Sequence, residues 1–411
     1  MVGATLACAL AEAGMRVAVV EPRTARQGSG SGDYGLRVSA VTLATQRLFQ
    51  ALGAWEGMCR RRVSPFREMR VWDAEGSGAV HFDSAEIGEQ ALGYIIENDV
   101  IHDALTERLT AWGENVRVHS GAVQSFERGE DGVTAMLEGG HALRARLLVG
   151  ADGADSRVRS GAGIAVRGWA YRQTAVVATV RPERSHQETA WQRFMPTGPL
   201  AFLPLQEGLC SIVWSATPEQ ADALMVMEDG AFRETLAAAF EHTLGGIVSA
   251  SPRASFPLRL QHAQRYVGER VALVGDAAHA IHPLAGQGAN LGFIDAAALA
   301  QVLAEGRGRG RDLGEVRLLR CYERWRKGEN LLMMSAMDGF KRLFGSRAAP
   351  LRVMRNAGLV LFDRLPPLKQ AIMRRAMGLE GDLPRLARGA KAQIARREGQ
   401  RAHAAGRGSR P

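Results

Sequence analysis

The chain of 411 residues lacks any run of about 18 uncharged apolar residues, so no transmembrane helix is predicted. Its apolar beginning, from Val2 to Val20, has the length of a signal peptide but not its features. It has no basic start, and Glu12 and Arg16 interrupt it. It also ends in β-branched residues where a small-residue cleavage site would be needed. We therefore do not assign it as a signal peptide.

Cysteine is scarce and scattered. The four cysteines lie far apart and form no CxxC pair, so neither a zinc site nor a disulfide framework is indicated. This distribution favours a reducing, cytoplasmic location. With 46% apolar and 23% charged residues, the composition is that of an ordinary globular protein, and the length predicts two to three domains.

Positive charge is concentrated at the C-terminus. Residues 385–411 contain eight basic residues and one acidic residue, and they account for +7 of the formal net charge of +9. This segment has no aromatic residues to stack on bases and no recognisable binding module, so nucleic acid is not expected as a partner. Two interpretations remain open, namely weak attraction to anionic lipid headgroups and a frayed, solvated end.

Hydrophobic periodicity predicts a chain with both helices and strands. The predicted helices are 3–14, 39–52, 99–112 and a long one from about Leu291, and the chain after Glu315 is expected to be mainly helical and basic. The predicted strands are a fully buried one at 16–20, a hairpin within 63–82, the segments 116–119, 133–137 and 146–149, several between 170 and 214, and 270–274. This order favours a parallel sheet assembled from non-adjacent segments, with a second sheet in the middle.

The start of the chain matches the later part of a dinucleotide-binding fingerprint, in which a strand and GxGxxG open a helix and an acid follows. Gly3 takes the place of the third glycine, and Glu21 ends the next strand, where its carboxylate can accept both ribose hydroxyls. The first strand and two glycines would precede Met1. We expect the natural start to lie upstream, since the later sequence is intact. The alternative is a short chain with a damaged pyrophosphate cradle.

The most specific motif, RVALVGDAAHAIHPLAGQGANLGFIDAAALAQVL, covers residues 270–303. Gly275 permits a sharp turn after a buried strand and presents Asp276, whose carboxylate can bind the hydroxyls of a ribityl chain. The glycine-rich loop lets the backbone approach a flat ring, and the next helix would stabilise negative charge on a reduced flavin. The loop and helix residues of this prediction are His282, Pro283, Gly286, Gln287, Gly288, Asn290 and Leu291.

This motif allows two other interpretations. The loop could have no special role, with His279 and His282 as ordinary polar residues. The HxxH spacing could also bind zinc, but no third ligand is apparent. The flavin interpretation accounts for more of the motif, and no metal is expected.

At these residues the chain resembles the FAD-dependent aromatic monooxygenases of the p-hydroxybenzoate hydroxylase fold and, more narrowly, the ubiquinone-biosynthesis hydroxylases. The resemblance runs nearly from end to end. It includes LRVSAVTLATQRLFQALGAW (36–55), LLVGADGADSRVRSGAGI (147–164) and WQRFMPTGPLAFLPL (191–205). The HPLAGQGANLG loop (282–292), together with MDGFKRLF (337–344), is the part most specific to the quinone branch.

The resemblance implies an α/β fold with a Rossmann-like FAD-binding domain, a mixed β-sheet substrate domain and a helical C-terminal region. The FAD-binding domain would be discontinuous. The expected segments are 1–65, 90–165 and 255–310 for FAD, 66–89 and 166–254 for the substrate sheet, 311–384 for the C-terminal helices, and 385–411 for the basic tail.

Residue roles also follow from the resemblance. Glu21 would bind the adenosine ribose, Arg37 the phosphate–ribityl region and Asp276 the ribityl chain. The DG motif, which the family links to both FAD and NAD(P)H, corresponds to Asp152, Gly153, Ser156 and Arg159. By itself, Asp152-Gly153 after a strand indicates only a turn.

The implied reaction is hydroxylation of the aromatic ring of a polyprenylated phenol. NAD(P)H would reduce FAD, which would react with O2 to a flavin hydroperoxide that transfers oxygen to the ring. Because the flavin carries the chemistry, no Ser/His/Asp triad is expected, and the protein must exclude water and orient the ring. A hydroxylase of a soluble aromatic compound and a non-catalytic scaffold subunit of a quinone-biosynthesis complex remain as alternatives.

Substrate contacts are expected from the middle sheet, although core packing explains each candidate residue better than stacking on the substrate ring does. The candidates are Trp169, Tyr171, Gln192, Phe194 and Trp214. Since a prenylated phenol lies in a membrane, the enzyme is expected to attach peripherally at its inner face, and other quinone-biosynthesis proteins are candidate partners. The basic tail is the expected attachment point.

Overall fold

The computed structural model describes residues 1–22, 34–280, 287–345 and 348–389, without the side chains of 169–171, 287 and 349. The helices in these ranges are α1 (Val2–Glu12), α2 (Leu43–Ala51), α3 (Trp55–Arg61), α4 (Asn98–Ala111), α5 (Arg157–Gly161), α6 (Pro218–Val226), α7 (Asp229–Ala239), α8 (Gln287–Gly308), α9 (Val316–Gly345), α10 (Ala349–Asp363) and α11 (Pro366–Ala376). Of these described helices, none is both long enough and apolar enough to cross a bilayer.

The strands in the same ranges are β1 (Val17–Glu21), β2 (Val38–Thr42), β3 (Ser64–Phe66), β4 (Glu68–Asp73), β5 (Ala79–Asp83), β6 (Gly93–Glu97), β7 (Val116–Ser120), β8 (Val123–Arg128), β9 (Val133–Leu137), β10 (Ala142–Ala145), β11 (Leu148–Gly150), β12 (Val166–Pro182), β13 (Thr189–Met195), β14 (Gly198–Pro204), β15 (Cys210–Ala216), β16 (Ile247–Ala250), β17 (Ala254–Ala263), β18 (Val267–Gly268), β19 (Val271–Leu273) and β20 (His279–Ala280).

Short parallel strand pairs join segments that are distant in sequence. β1 pairs with β7 and β11 pairs with β19, both in parallel. Helix α1 contacts α4 and α8, and all three contribute to one large hydrophobic core that includes Leu105, Phe293 and Leu299. This arrangement confirms the predicted α/β unit built from non-adjacent segments.

The second unit is a nine-stranded mixed sheet with the order β20-β17-β12-β15-β14-β13-β4-β5, with β16 added beside β12. Helices α6 and α7 share a core with its strands around Phe202 and Trp214. Helix α9 contacts other residues of the sheet through Met334 and Phe344. The predicted middle sheet and helical C-terminal region are thereby confirmed. β17 pairs within this sheet, so the boundary predicted at residue 255 falls inside it.

The helix predicted over 39–52 is wrong in its first part. Residues 38–42 read VSAVT, and this partly β-branched segment forms β2, which pairs antiparallel with β6. The helix begins only at Leu43, because the Thr42 hydroxyl accepts a hydrogen bond from the Thr45 N–H and caps α2.

Three further differences concern burial and boundaries. β1 is not fully buried, since Ala18 is exposed and β7 is its one partner strand in the described ranges. Helix α8 begins at Gln287, earlier than predicted, and the prediction missed β8 and β10, which form a small antiparallel sheet with β9. Ala387 is fully buried, so the solvated tail begins later than residue 385; residues 390–411 lie outside the described ranges.

A buried ion pair attaches α10 to the β4–β5 hairpin. Arg355 Nε donates to Asp73 Oδ2 at 2.6 Å, and Arg355 Nη2 donates to Asp73 Oδ1 at 2.9 Å. Asn356 Nδ2 donates to the same carboxylate at 2.8 Å. Both charged side chains are about 1% exposed. Because a buried charge that loses its partner is strongly destabilising, this pair determines which side of α10 faces the body.

We expect Asp73→Asn to lower the free energy of unfolding by up to about 3–5 kcal/mol, because it leaves the buried Arg355 guanidinium with only the partly exposed Glu75 as a countercharge. Urea unfolding and limited proteolysis of α10 measure this effect. Glu138→Gln is the control, since it removes the acid of an exposed pair with Arg157 and should cost less than about 1 kcal/mol. Equal unfolding midpoints for the two variants would contradict the assigned role of Asp73.

Candidate active site

The turn after β19 presents Asp276 where two helices begin. Gly275 has a φ of +59°, a conformation that favours glycine, and a Cβ there would lie 3.2 Å from Val2 of α1. Gly292 of α8 packs against the same Val2 side chain. The starts of α1 and α8 therefore converge on this turn, as the sequence motif predicts.

Asp276 lies in a concave part of the surface. Its side chain is exposed to solvent, yet desolvation by the surrounding protein raises the pKa of its carboxyl. The charges of His279, of the Arg37 guanidinium and of the terminal amino group oppose this rise. An accessible carboxylate with so much protein around it lies on the floor of a cleft. Arg37, exposed and 4.9 Å above the ring centroid of Phe256, belongs to the same surroundings.

Gly3 and Glu21 occupy the positions that the fingerprint requires of the helix and the second strand. A Cβ at Gly3 would lie 3.1 Å from the Cβ of Ala151, so α1 closely approaches the turn after β11. Glu21 is the last residue of β1 and is half-buried. Its carbonyl oxygen accepts a hydrogen bond from the Gly121 N–H at 3.2 Å.

The DG turn is held by its own side chains. Asp152 Oδ1 accepts from the Ser156 hydroxyl at 2.5 Å, and its Oδ2 accepts from the Val158 N–H at 3.1 Å. Ser156 caps α5 by accepting from the Arg159 N–H at 2.9 Å, while Gly153 supplies a φ of +83°. The motif therefore has a structural explanation, because the Asp152 carboxylate is used to start α5.

Arg159 joins this DG turn to the turn that carries Asp276. Its Nη1 donates to the Ala277 oxygen at 3.0 Å, and its Nη2 donates to the Ala154 oxygen at 2.7 Å. Burial lowers the pKa of the guanidinium, and the carboxylates of Asp152 and Asp155 partly restore it. The sequence indicated the motif but not this bridge.

The structure describes only part of the predicted loop. His282, Pro283 and Gly286 lie outside the described residues; Gln287, whose side chain is not described, begins α8, and half-buried Gly288 and Leu291 follow. Asn290 joins α8 to β2, because its Nδ2 donates to the Ala40 oxygen at 2.7 Å and its Oδ1 accepts from the Thr42 N–H at 3.0 Å. The assignment of these residues to flavin binding stays a prediction.

The candidate substrate residues of the middle sheet lie mostly in its packing. Phe194 stacks on Phe344 of α9 with ring centroids 4.2 Å apart, and Trp214 is buried in the core beneath α6 and α7. Gln192 is also buried. The side chains of Trp169 and Tyr171 lie outside the described part of the chain.

A cavity of about 540 Å³ lies elsewhere, on the β4–β5 hairpin. Arg70, Trp72, Trp191 and Asp363 are among its lining residues, and none of the predicted flavin-binding residues lines it. Because its lining contains none of these residues, we do not assign this cavity as the flavin site.

A buried ionic cluster lies beside the Asp276 turn. Asp295 of α8 accepts hydrogen bonds from His279 Nε2, from Arg326 Nε at 2.8 Å and from Asn330 Nδ2 at 3.1 Å. The charged side chains are at most 2% exposed. Burial raises the pKa of Asp295, but His279 and Arg326 outweigh it and lower the pKa to about 2. His279 is thus no ordinary polar loop residue; a lone acid in the Ala-rich FIDAAALA segment was the available signal.

The cluster continues through Tyr266. The Tyr266 hydroxyl lies 3.0 Å from His262 Nε2 and 3.3 Å from Asn330 Nδ2. Desolvation, assisted by the charges of His279 and Lys327, lowers the pKa of His262 to about 4. His262 is therefore buried as a neutral imidazole near pH 7.

We expect the stability of the protein to fall as the pH is lowered from 6.5 to about 4, because the unfolded His262 takes up a proton before the folded one does. The loss reaches about 3 kcal/mol and is smaller in His262→Asn. Urea unfolding at several pH values measures it, with exposed His141→Asn as the control. A pH dependence that His262→Asn leaves unchanged would contradict this assignment.

Comparison with known proteins identifies the family. The chain matches the family model of the FAD binding domain over residues 1–329. It is 40% identical over 392 residues to the ubiquinone hydroxylase UbiL of Rhodospirillum rubrum (95% of this chain, 91% of that protein). It is 38% identical to the 3-demethoxyubiquinol 3-hydroxylase of Escherichia coli (92% of this chain, 96% of that protein).

A solved structure shows the same fold. The p-nitrophenol 4-monooxygenase PnpA of Pseudomonas putida DLL-E4 matches with a TM-score of 0.75 and 20% identity, over 93% of this chain and 96% of that one. Together with the full-length relatives, these matches confirm the resemblance seen in the motifs. The chain therefore belongs to the FAD-dependent aromatic monooxygenases, in the branch of the ubiquinone hydroxylases.

Proposed function

We propose that this enzyme hydroxylates the aromatic ring of a polyprenylated phenol in ubiquinone biosynthesis, with NAD(P)H and O2 as co-substrates. One observation carries the proposal: the Arg37 charge acts on the pKa of the Asp276 carboxyl, in a chain that resembles a ubiquinone hydroxylase and a 3-demethoxyubiquinol 3-hydroxylase over nearly its whole length.

The cleft fits FAD by the chemistry of its groups. The Asp276 carboxylate is accessible but poorly solvated, so donor hydroxyls of a ribityl chain would stabilise its charged form. Arg37 would contact the phosphate–ribityl region, and Glu21 would accept the hydroxyls of the adenosine ribose. The first turns of α1 and α8 converge on the same turn and offer N–H groups to phosphate and to the reduced ring.

Bound FAD supplies the redox chemistry and the activation of O2. The chain contributes binding and position. Arg159 fixes the turn of Asp276 through Ala277, and Asn290 fixes β2, which directly follows Arg37, against α8. We assign Gln287 and Gly288, in the first turn of α8, to the stabilisation of negative charge on the reduced ring.

NAD(P)H binding by the DG motif is part of the same proposal. The bridge from Arg159 to Ala277 supports it, because it connects the DG turn to the flavin cleft. The division into an FAD domain and a substrate domain is supported by the two separate cores, with residues 255–263 moved to the substrate sheet. The polyprenyl group of the substrate requires a peripheral position at the inner face of the membrane, reached from the cytoplasm.

We expect the purified, FAD-loaded enzyme to convert a short-chain prenylated phenol to a product heavier by one oxygen atom, with NAD(P)H consumed in parallel. Mass spectrometry and NAD(P)H absorbance measure this. In cells without the gene, a quinone precursor that lacks one hydroxyl should accumulate and disappear on re-supply. A normal quinone profile combined with turnover of a soluble phenol would show that the substrate is a soluble aromatic compound instead.

We expect Asp276→Ala to lose bound FAD and activity together, because the ribityl hydroxyls lose their acceptor. The visible flavin absorbance per protein and the turnover rate are measured on the same preparation. Asp155→Ala is the matched control, since this carboxylate is 88% exposed and lies in the neighbouring DG turn. Full flavin occupancy in Asp276→Ala would show that the ribityl contact is assigned to the wrong residue.

A further inference from the structure

Large apolar side chains are exposed mainly in one part of the molecule. Eleven of the sixteen that are exposed in the described ranges lie between residues 331 and 372. Six of them, on α10, on α11 and at the N-cap of α11, form what we call the outward face, defined by Val353, Met354, Leu361, Leu365, Leu368 and Ile372. Val353 and Met354 are each 68% exposed. Exposed apolar patches of this kind mark interaction sites.

Three polar residues of these two helices bind the body of the protein. Arg355 binds Asp73, and the side-chain Oδ1 of Asn356 accepts from the Gly78 N–H at 2.6 Å. Lys369 of α11, largely buried, donates to Glu86 at 2.8 Å and to the His81 oxygen at 3.0 Å. Apolar residues also face the protein, since Met373 of α11 is buried and Leu359 of α10 packs against the core around Phe344. The two helices differ from an ordinary surface helix because large apolar side chains also face the solvent.

Rotation of α10 cannot bury its exposed apolar side chains. Turning α10 to bury Met354 and Leu361 would expose or separate the ion pair between Arg355 and Asp73, which is about 1% exposed. The apolar side chains therefore stay in contact with water until another apolar phase covers them.

Charge restricts what that phase can be. Arg355 and Lys369 are buried on carboxylates of the β4–β5 region. Arg364, which follows α10, and Arg375, in the last turn of α11, are exposed. A second copy of the chain would bring the same positive charge against it. Anionic lipid headgroups carry the complementary charge, and a bilayer offers an apolar layer just beneath them.

We propose that the outward face of α10 and α11 docks on an anionic bilayer. Its apolar side chains enter the acyl region, and Arg364 and Arg375 meet the headgroups. This surface lies on described, folded helices and is distinct from the basic tail at 390–411. The inference deepens the proposed function, on which the choice of a bilayer as the apolar partner partly rests.

The test is flotation of the full-length, FAD-loaded enzyme with vesicles of phosphatidylcholine and phosphatidylglycerol. We expect Val353→Ser/Met354→Ser/Leu361→Ser to weaken binding roughly tenfold to a hundredfold. The matched control is Val226→Ser/Val248→Ser, at two exposed valines far outside the outward face. This control should bind as the wild type does. Unfolding midpoints and turnover of a short-chain phenol should be the same in all three proteins.

Salt separates the outward face from the basic tail. At about 1 M salt the screening length is about 3 Å, so attraction of the tail is suppressed. The difference between the wild type and the triple variant should persist. Equal vesicle binding of these two proteins at both salt concentrations would overturn the proposal.

Light scattering tests whether a second copy of the chain covers the outward face instead. A wild-type dimer that the triple variant converts to a monomer, with vesicle binding unchanged, would also overturn the proposal. Failure of the proposed function would give a different result. An enzyme that binds vesicles through the outward face but leaves prenylated phenols unchanged would support the docking surface and contradict the proposed substrate.

Discussion

The Asp295 carboxylate holds together three parts of the molecule on which the proposed flavin cleft depends. It lies on α8 and binds His279, which follows the Asp276 turn, and Arg326 of α9. Burying this charge is tolerable only because both partners are present, and removal of one partner from such a group typically costs about 3–5 kcal/mol. Since α9 also packs on the large sheet through Met334, one carboxylate links the turn, the helix behind it and the second unit.

Two hydrogen bonds to backbone carbonyl oxygens add to this support. Arg159 holds the carbonyl of Ala277, and Asn290 holds the edge of β2 near Arg37. The residues that would touch the cofactor are thus few, and those that fix their positions are many and buried. This is the arrangement expected where the cofactor performs the chemistry and the protein provides geometry.

Local patterns predicted the features that depend on local sequence. Gly275 and Asp276 were recognisable because a turn after a buried strand needs a glycine and presents the next side chain. The cluster around Asp295 was not predicted, because its partners lie 16 and 31 positions away and only the fold brings them together. The segment before Leu43 was misassigned because pairing of β2 with β6 overrides its helix-like periodicity.

The orientation of α10 also depends on a contact between residues distant in the chain, which sequence patterns do not reveal. The periodicity of this helix reveals an apolar stripe, but periodicity cannot tell which side faces the body. That choice depends on Asp73, more than 270 positions earlier in the chain, whose carboxylate Arg355 binds.

The anchoring of α10 affects how the protein stays dispersed in water. Many amphipathic segments order themselves only when they reach an interface, and they lose conformational entropy at that moment. Here the ordering is complete beforehand, so adsorption involves little further loss of freedom. Because α10 is held rigidly, the apolar outward face stays exposed to water when no lipid is present. Dispersal of the protein in the absence of lipid or detergent must therefore depend on mutual repulsion between highly cationic particles, and added salt reduces that repulsion.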